Sequence, residues 1–193
     1  MSATRSRLPR AEREERILDA AVLEFDEHGF QAASVERIAH AAGITKALVY
    51  QYFSSKEGVY TACVERGRAE MFDRLREAAR SAGSDPATLL AAVIGTYFDE
   101  LDEQRRRSFV LYGDAPADAV DEMRRRNADV IAQLLRDGSS LSEDDVPLVA
   151  QLIVGAGEQV GRWWLSDREI SRDAVKARFT VAIGSAIAGL SAR

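Results

Sequence analysis

The sequence predicts an all-α protein of about nine helices. Apolar residues recur at three- and four-residue steps along nearly all of its 193 residues, and no stretch alternates with the two-residue period of a strand. Clusters of Gly, Ser, Asp and Pro interrupt the pattern at intervals suited to single helices. A chain that is 46% apolar and 30% charged, with only four prolines, folds around a core and is neither disordered nor fibrous.

Residues 10–28 form the first expected helix. Ile17, Ala21 and Phe25 repeat beside Leu18 and Val22 with Glu and Arg on the opposite face, and Gly29 followed by Phe30 has the order of a left-handed C-terminal cap. Ser34 is the N-cap of a short second helix whose apolar stripe is Val35, Ile38, Ala39 and Ala42, with Glu36 in its first turn favouring the helix dipole. Gly43 breaks this helix, and Thr45 caps a third that reaches about Phe53. Ser54-Ser55-Lys56-Glu57 supplies a capping box for the fourth, which continues through Val64 and Met71 to Leu75 and ends near the Ser81 to Pro86 breaker cluster. Further helices are expected at about 86–104, 106–113, 117–137, 142–166 and 171–191. The division into domains falls at the start of the fourth helix, giving residues 1–56 and 57–193.

The net charge of −5 is unevenly placed. Residues 1–56 carry eight basic and eight acidic groups, so the acidic excess belongs entirely to the remainder, which it would keep away from a phosphate backbone. The lone Cys63 lies in an apolar-periodic segment and reads as a packed thiol. There is no run of about 18 apolar residues and no apolar core near the N-terminus, so no membrane association is expected and the chain is placed in the cytoplasm. His28 and His40 stand far from any second His or Cys at ligand spacing; no metal and no cofactor are expected.

Residues 34–53 have helix-turn-helix anatomy. A short turn containing Gly43 lets two brief helices cross steeply, with Ala39 small enough for the close crossing, so that the second helix can project into a DNA major groove about 12 Å wide. Ile38, Ile44, Val49 and Phe53 form the small core that fixes the angle. Together with Ile17, Ala20, Ala21, Phe25 and Gly29-Phe30 before it, and with Tyr50, Tyr52 and Ser55-Lys56-Glu57 after it, this segment resembles the TetR family of bacterial regulators over about residues 10–60. The resemblance implies an N-terminal three-helix DNA-binding domain, a C-terminal helical ligand-binding and dimerisation bundle, and a repressor released from double-stranded, palindromic operator DNA by a small apolar effector. Thr45, Lys46, Ala47 and Gln51 would read base edges, and Ser34, Tyr50, Tyr52 and Lys56 would hold phosphates. Leu48 either packs inward or meets a thymine methyl group.

The C-terminal part offers two further expectations. The predicted helix at 86–104 is apolar on more than one face and reads as central; Tyr97, Phe98 and Leu101, with Phe109, Tyr112, Met123, Trp163 and Trp164, either line an effector pocket or are ordinary core. The last two helices carry small residues and an apolar stripe, here assigned to a homodimer seam of Gly157, Gly161, Phe179, Ile183, Ala186, Ile187 and Leu190. The Asp99 to Glu103 carboxylates beside Arg105-Arg106-Arg107 read as a solvated ion-pair network, and no nucleophile, base and orienting group stand together as an enzyme would need. A helical carrier or enzyme that handles a small molecule without touching DNA is the competing reading.

Overall fold

The computed structural model describes residues 9–83, 85–103, 117–166 and 169–192. Among these, eight helices and no strand are found: α1 (Arg10–Ala32), α2 (Val35–Ala41), α3 (Lys46–Phe53), α4 (Lys56–Ser81), α5 (Pro86–Glu103), α6 (Ala117–Gly138), α7 (Asp145–Ser166) and α8 (Arg172–Ser191). The helix expected at 106–113 lies outside the described residues. The chain divides within α4 into two compact units, one of described residues up to Arg68 and the other of those from Ala69 onward.

In the first unit, α1 turns Ile17, Leu18, Ala21, Val22 and Phe25 inward, where they meet Ile38 of α2, Val49 of α3 and Val59, Tyr60 and Cys63 of α4, all buried. Phe25, Phe30 and Tyr60 form an aromatic triangle with centroids 5.0 to 6.0 Å apart, two of its three pairs edge to face. Gly29 adopts φ +69°, as its place after the last apolar repeat requires, but a final turn follows it and α1 closes only at Ala32, where Ala33 N–H reaches the Gly29 carbonyl at 3.1 Å. The start of α4 is capped by Ser55, whose Oγ accepts the Gly58 N–H at 3.0 Å; Ser54, the expected cap, is instead the hinge, with φ 65°. The Cys63 thiol is pushed up to about 12 by burial, so it stays protonated and inert at neutral pH.

In the second unit, the side of α6 bearing Ala128, Ile131, Ala132 and Leu135 packs on the side of α7 bearing Val146, Val149, Ala150 and Val154. Phe98 of α5 is fully enclosed, with Tyr97, Trp164 and Phe179 arranged edge to face around it at 5.2, 5.8 and 5.5 Å. α7 begins at Asp145, three residues later than the sequence suggests, because Ser142 serves as its cap: the Ser142 carbonyl accepts the N–H of both Asp145 and Val146 at 3.1 Å. Lys176 of α8 reaches both oxygens of Asp99 on α5 at 2.8 Å, which pins the two helices at one end.

Candidate functional site

The turn between α2 and α3 is built as the sequence implies. Gly43 takes φ +69°, the Ile44 N–H donates to the Ala39 carbonyl at 2.9 Å, and Thr45 Oγ1 accepts the Leu48 N–H at 3.3 Å to start α3. On α3 only Val49 is fully buried. Thr45, Lys46, Ala47, Tyr50 and Gln51 are exposed together, Leu48 is half-buried, and the Lys46 ammonium lies 5.6 Å from the Tyr50 ring centroid. A short helix thus presents a hydroxyl, an ammonium, a methyl group, a phenol and a carboxamide on one side, which is the repertoire that base edges and phosphates can bind.

The other three expected phosphate contacts have partners within the chain. Lys56 Nζ donates to the carbonyls of Phe30, Gln31 and Ala33 at 2.8, 3.1 and 3.3 Å and stands 4.7 Å above the Phe30 ring, so it also closes the C-terminal end of α1. Tyr52 lies under the Arg10 guanidinium at 5.2 Å, and its hydroxyl reaches the Arg10 carbonyl at 3.5 Å. Ser34 caps α2, its Oγ accepting the Arg37 N–H at 3.4 Å and donating to Glu36 at 3.0 Å.

A residue that the sequence reading passed over organises this region. Glu24 of α1, only 8% exposed, accepts the Ser34 N–H at 2.8 Å and the Arg37 guanidinium through Nε at 2.8 and 3.0 Å and through Nη2 at 2.5 Å. Burial raises its pKa, and the hydrogen bonds from Arg37 and Ser34 with the Arg37 charge outweigh burial and hold it below the ordinary value. Glu24 thereby joins α1 to the first turn of α2. Its signal was a carboxylate on an otherwise apolar helix side, one turn before Gly29. Glu36, expected only to favour the dipole of α2, also pairs with Lys46 across the turn, and that hydrogen bond, with those from its own N–H and from Ser34, holds its carboxyl down at about 2.

The second unit contains a cavity of about 640 Å³ bounded by α5, α6, α7 and α8, with walls that include Leu89, Leu90, Val93, Ile131, Leu134 and Ile187. It reaches Pro86, Ser139, Ser140 and Ser191 at one end. A smaller space of about 90 Å³ shares Val93, Ile94, Ile131 and Ile153 with it and adds Tyr97, Asn127 and Glu158. The Tyr97 hydroxyl donates to the Gly157 carbonyl at 2.9 Å, and Arg124 Nε donates to Glu158 at 2.9 Å. Of the aromatic residues expected at a pocket, Tyr97 borders the smaller space. Phe98, Leu101 and Trp164 are packed into the core, Trp163 is 43% exposed, and Phe109, Tyr112 and the Met123 side chain lie outside what the structure describes. The larger cavity falls among aliphatic side chains because interlocking rings fill their own space, whereas Gly138 and Gly184 leave room.

The seam residues separate into two groups. Gly157, Gly161, Phe179 and Ile183 are buried within the chain's own bundle and have little surface to give a partner, while Ala186, Ile187 and Leu190 are half-buried. The outward sides of α7 and α8 carry instead Leu148, Leu152, Gly155 and Trp163, and Val181, Ala182, Ser185, Ala188 and Gly189. Of the expected apolar stripe on α8, Phe179 and Ile183 face inward, and Ala186, Ile187 and Leu190 keep part of their surface accessible. Among the described residues no helix is long and apolar enough to cross a membrane, and no group of three or more His, Cys, Asp or Glu could hold a metal ion.

Comparison with known proteins supports both halves. Residues 17–63 match the family model for bacterial regulatory proteins of the tetR family, and residues 86–183 match the one for the tetracyclin repressor-like C-terminal domain. The transcriptional activator FasR of Mycolicibacterium smegmatis is 29% identical over 175 residues, covering 87% of this chain and 80% of its own. The crystal structure of a TetR-like regulator from Rhodococcus sp. RHA1 superposes with a TM-score of 0.69 at 32% identity, covering 95% of this chain and all of that one. FadR of Bacillus subtilis, solved in complex with stearoyl-CoA, shares the fold at a TM-score of 0.73 and 20% identity, over 88% of this chain and 96% of its own.

Proposed function

Because the chain belongs to the TetR family, whose members are DNA-binding transcriptional regulators and not enzymes, we propose that it is a cytoplasmic homodimeric repressor released from a palindromic operator by an elongated apolar effector. Residues 1–56 act as the DNA-binding domain and 57–193 as the effector and dimerisation domain. Thr45, Lys46, Ala47 and Gln51 read base edges, and Ser34, Tyr50, Tyr52 and Lys56 hold phosphates. The observation that carries the reading is the pairing of an exposed polar side on α3 with an apolar cavity of about 640 Å³ in the other unit, a volume in the range that small ligands occupy.

The effector is an acyl chain or a molecule of similar shape. The cavity is lined mainly by aliphatic side chains, and the B. subtilis neighbour, which shares the fold, was solved with stearoyl-CoA. Two chains associate through the outward sides of α7 and α8, where Leu152, Trp163 and Val181 are exposed. In a two-fold dimer the two α3 helices then meet successive major grooves about 34–36 Å apart. α4 runs without a break from Lys56 to Ser81 and belongs to both units, so it is the element through which an effector changes the spacing of the recognition helices.

The test is a titration of stearoyl-CoA into full-length protein bound to an operator selected from a random DNA pool. Neither tryptophan lines a cavity, so occupancy is read by isothermal titration calorimetry. Heat of binding and operator release over the same concentration range support the reading. Binding without release refutes the coupling, release without binding refutes the site, and in vitro transcription that falls on loss of the protein refutes repression.

A further inference from the structure

Lys46 is exposed but already paired within the chain. Its ammonium is held between the Glu36 carboxylate on α2 and the Tyr50 ring on its own helix, and Glu36 is fixed in turn by the Ser34 hydroxyl at 3.0 Å. Both partners are well exposed, so the pair adds little to folding. Ser34, Glu36, Lys46 and Tyr50 nevertheless form one linked row, and three of the four are the groups assigned to DNA contact. A carboxylate in that row works against the phosphate backbone unless it does something else.

We propose that Glu36 is a positioning residue that withholds Lys46 from phosphates and thereby sets specificity. The inference rests on Lys46 as a base reader. A phosphate offers the ammonium the same single charge-assisted contact that Glu36 already provides, so exchanging one for the other gains nothing. A guanine presents two acceptors, N7 and O6, at the edge that α3 faces, and that exchange is favourable. Glu36 thus removes one cation from sequence-independent binding while leaving it available to the correct base. Ionisation of the carboxylate persists to about pH 2, so the arrangement holds at any physiological pH.

The experiment measures binding of full-length protein to a random-sequence 30-base-pair duplex between 50 and 200 mM KCl for wild type, Glu36→Gln, Lys46→Gln and the double variant. One released lysine adds one phosphate contact, which steepens the slope of log K against log salt by about 0.9, so the advantage of Glu36→Gln shrinks about 3.5-fold across that range. The same substitution made in the Lys46→Gln background leaves the slope unchanged, because no ammonium remains to be released. An equal increment in both backgrounds would mean that Glu36 acts by simple repulsion, and no increment or a loss of affinity would mean that it withholds nothing; each overturns the proposal. Failure of the underlying reading shows separately, as a Lys46→Gln variant that keeps the wild-type ratio of operator to random-sequence affinity.

Discussion

Replacing Glu24 by alanine tests whether the register of the helix-turn-helix is set from α1. The substitution removes the only carboxylate that accepts the Ser34 N–H, at 2.8 Å, and deprives Arg37 of its bidentate partner. Arg37 is half-exposed and is rehydrated by water, so the cost comes from the backbone N–H. A hydrogen bond from a partly buried donor to a charged group contributes about 1.5–3 kcal/mol, which sets the expected loss at about 2 kcal/mol. Glu24→Gln keeps an acceptor for that N–H and should recover about half. The effect carries a pH signature: the folded-state pKa of Glu24 is depressed, so its contribution is complete above the unfolded value near 4.5 and is lost as pH falls through the depressed one. Urea unfolding of the full chain at pH 7 and at pH 3 measures both quantities. A Glu24→Ala variant within about 0.5 kcal/mol of wild type at pH 7, or a deficit against Glu24→Gln that does not shrink in acid, would refute the reasoning.

The remaining expectations concern other parts of the molecule. A Cβ at position 58 would stand 1.9 Å from the Phe53 carbonyl oxygen, so Gly58→Ala should lower stability by about 1–3 kcal/mol in a thermal melt although alanine is the better helix former; a neutral or stabilised variant would count against the close approach of α3 to α4. Val93→Phe, at the wall common to both cavities, should weaken calorimetric binding of stearoyl-CoA while operator binding survives, as gel shift and titration together would show. Leu152→Arg with Val181→Arg should yield a folded monomer by sedimentation, whereas Ile183→Arg should unfold the bundle, since Ile183 is buried in its own chain. Cys63 should react with a thiol reagent at pH 8 only as fast as the chain opens, and labelling of the native protein within seconds would contradict its burial.

What the sequence made legible was local. Ser34, Gly43 and Thr45 act through the few residues around them, and a cap or a positive φ can be read from spacing alone. Glu24 could not be read in that way, because its partners lie ten and thirteen residues away and only the packing of α2 on α1 brings them together. Lys56 is a similar case, its carbonyl partners lying 23 to 26 residues earlier. Periodicity likewise identifies the apolar side of a helix without saying what covers it. Phe179 and Ile183 were therefore assigned to a second chain when Phe98 and its neighbours already occupy that side. The larger cavity lies among other residues than the aromatic ones expected at a pocket for a related reason: aromatic residues attract attention in a sequence, but empty volume arises where aliphatic side chains and glycines fail to meet.

The anchoring of α3 by buried Val49 and the half-buried Leu48, Tyr52 and Phe53 has a consequence for how such a protein diverges. Its caps, its turn and the close contact of Gly58 with the Phe53 carbonyl hold the backbone in place, and none of these uses the exposed side chains at 45, 46, 47, 50 and 51 beyond the hydroxyl of Thr45. Substitutions at 46, 47, 50 and 51 therefore cost little folding free energy, about 0.5 kcal/mol or less each. Copies of the gene could thus acquire new operators one substitution at a time without passing through an unfolded protein.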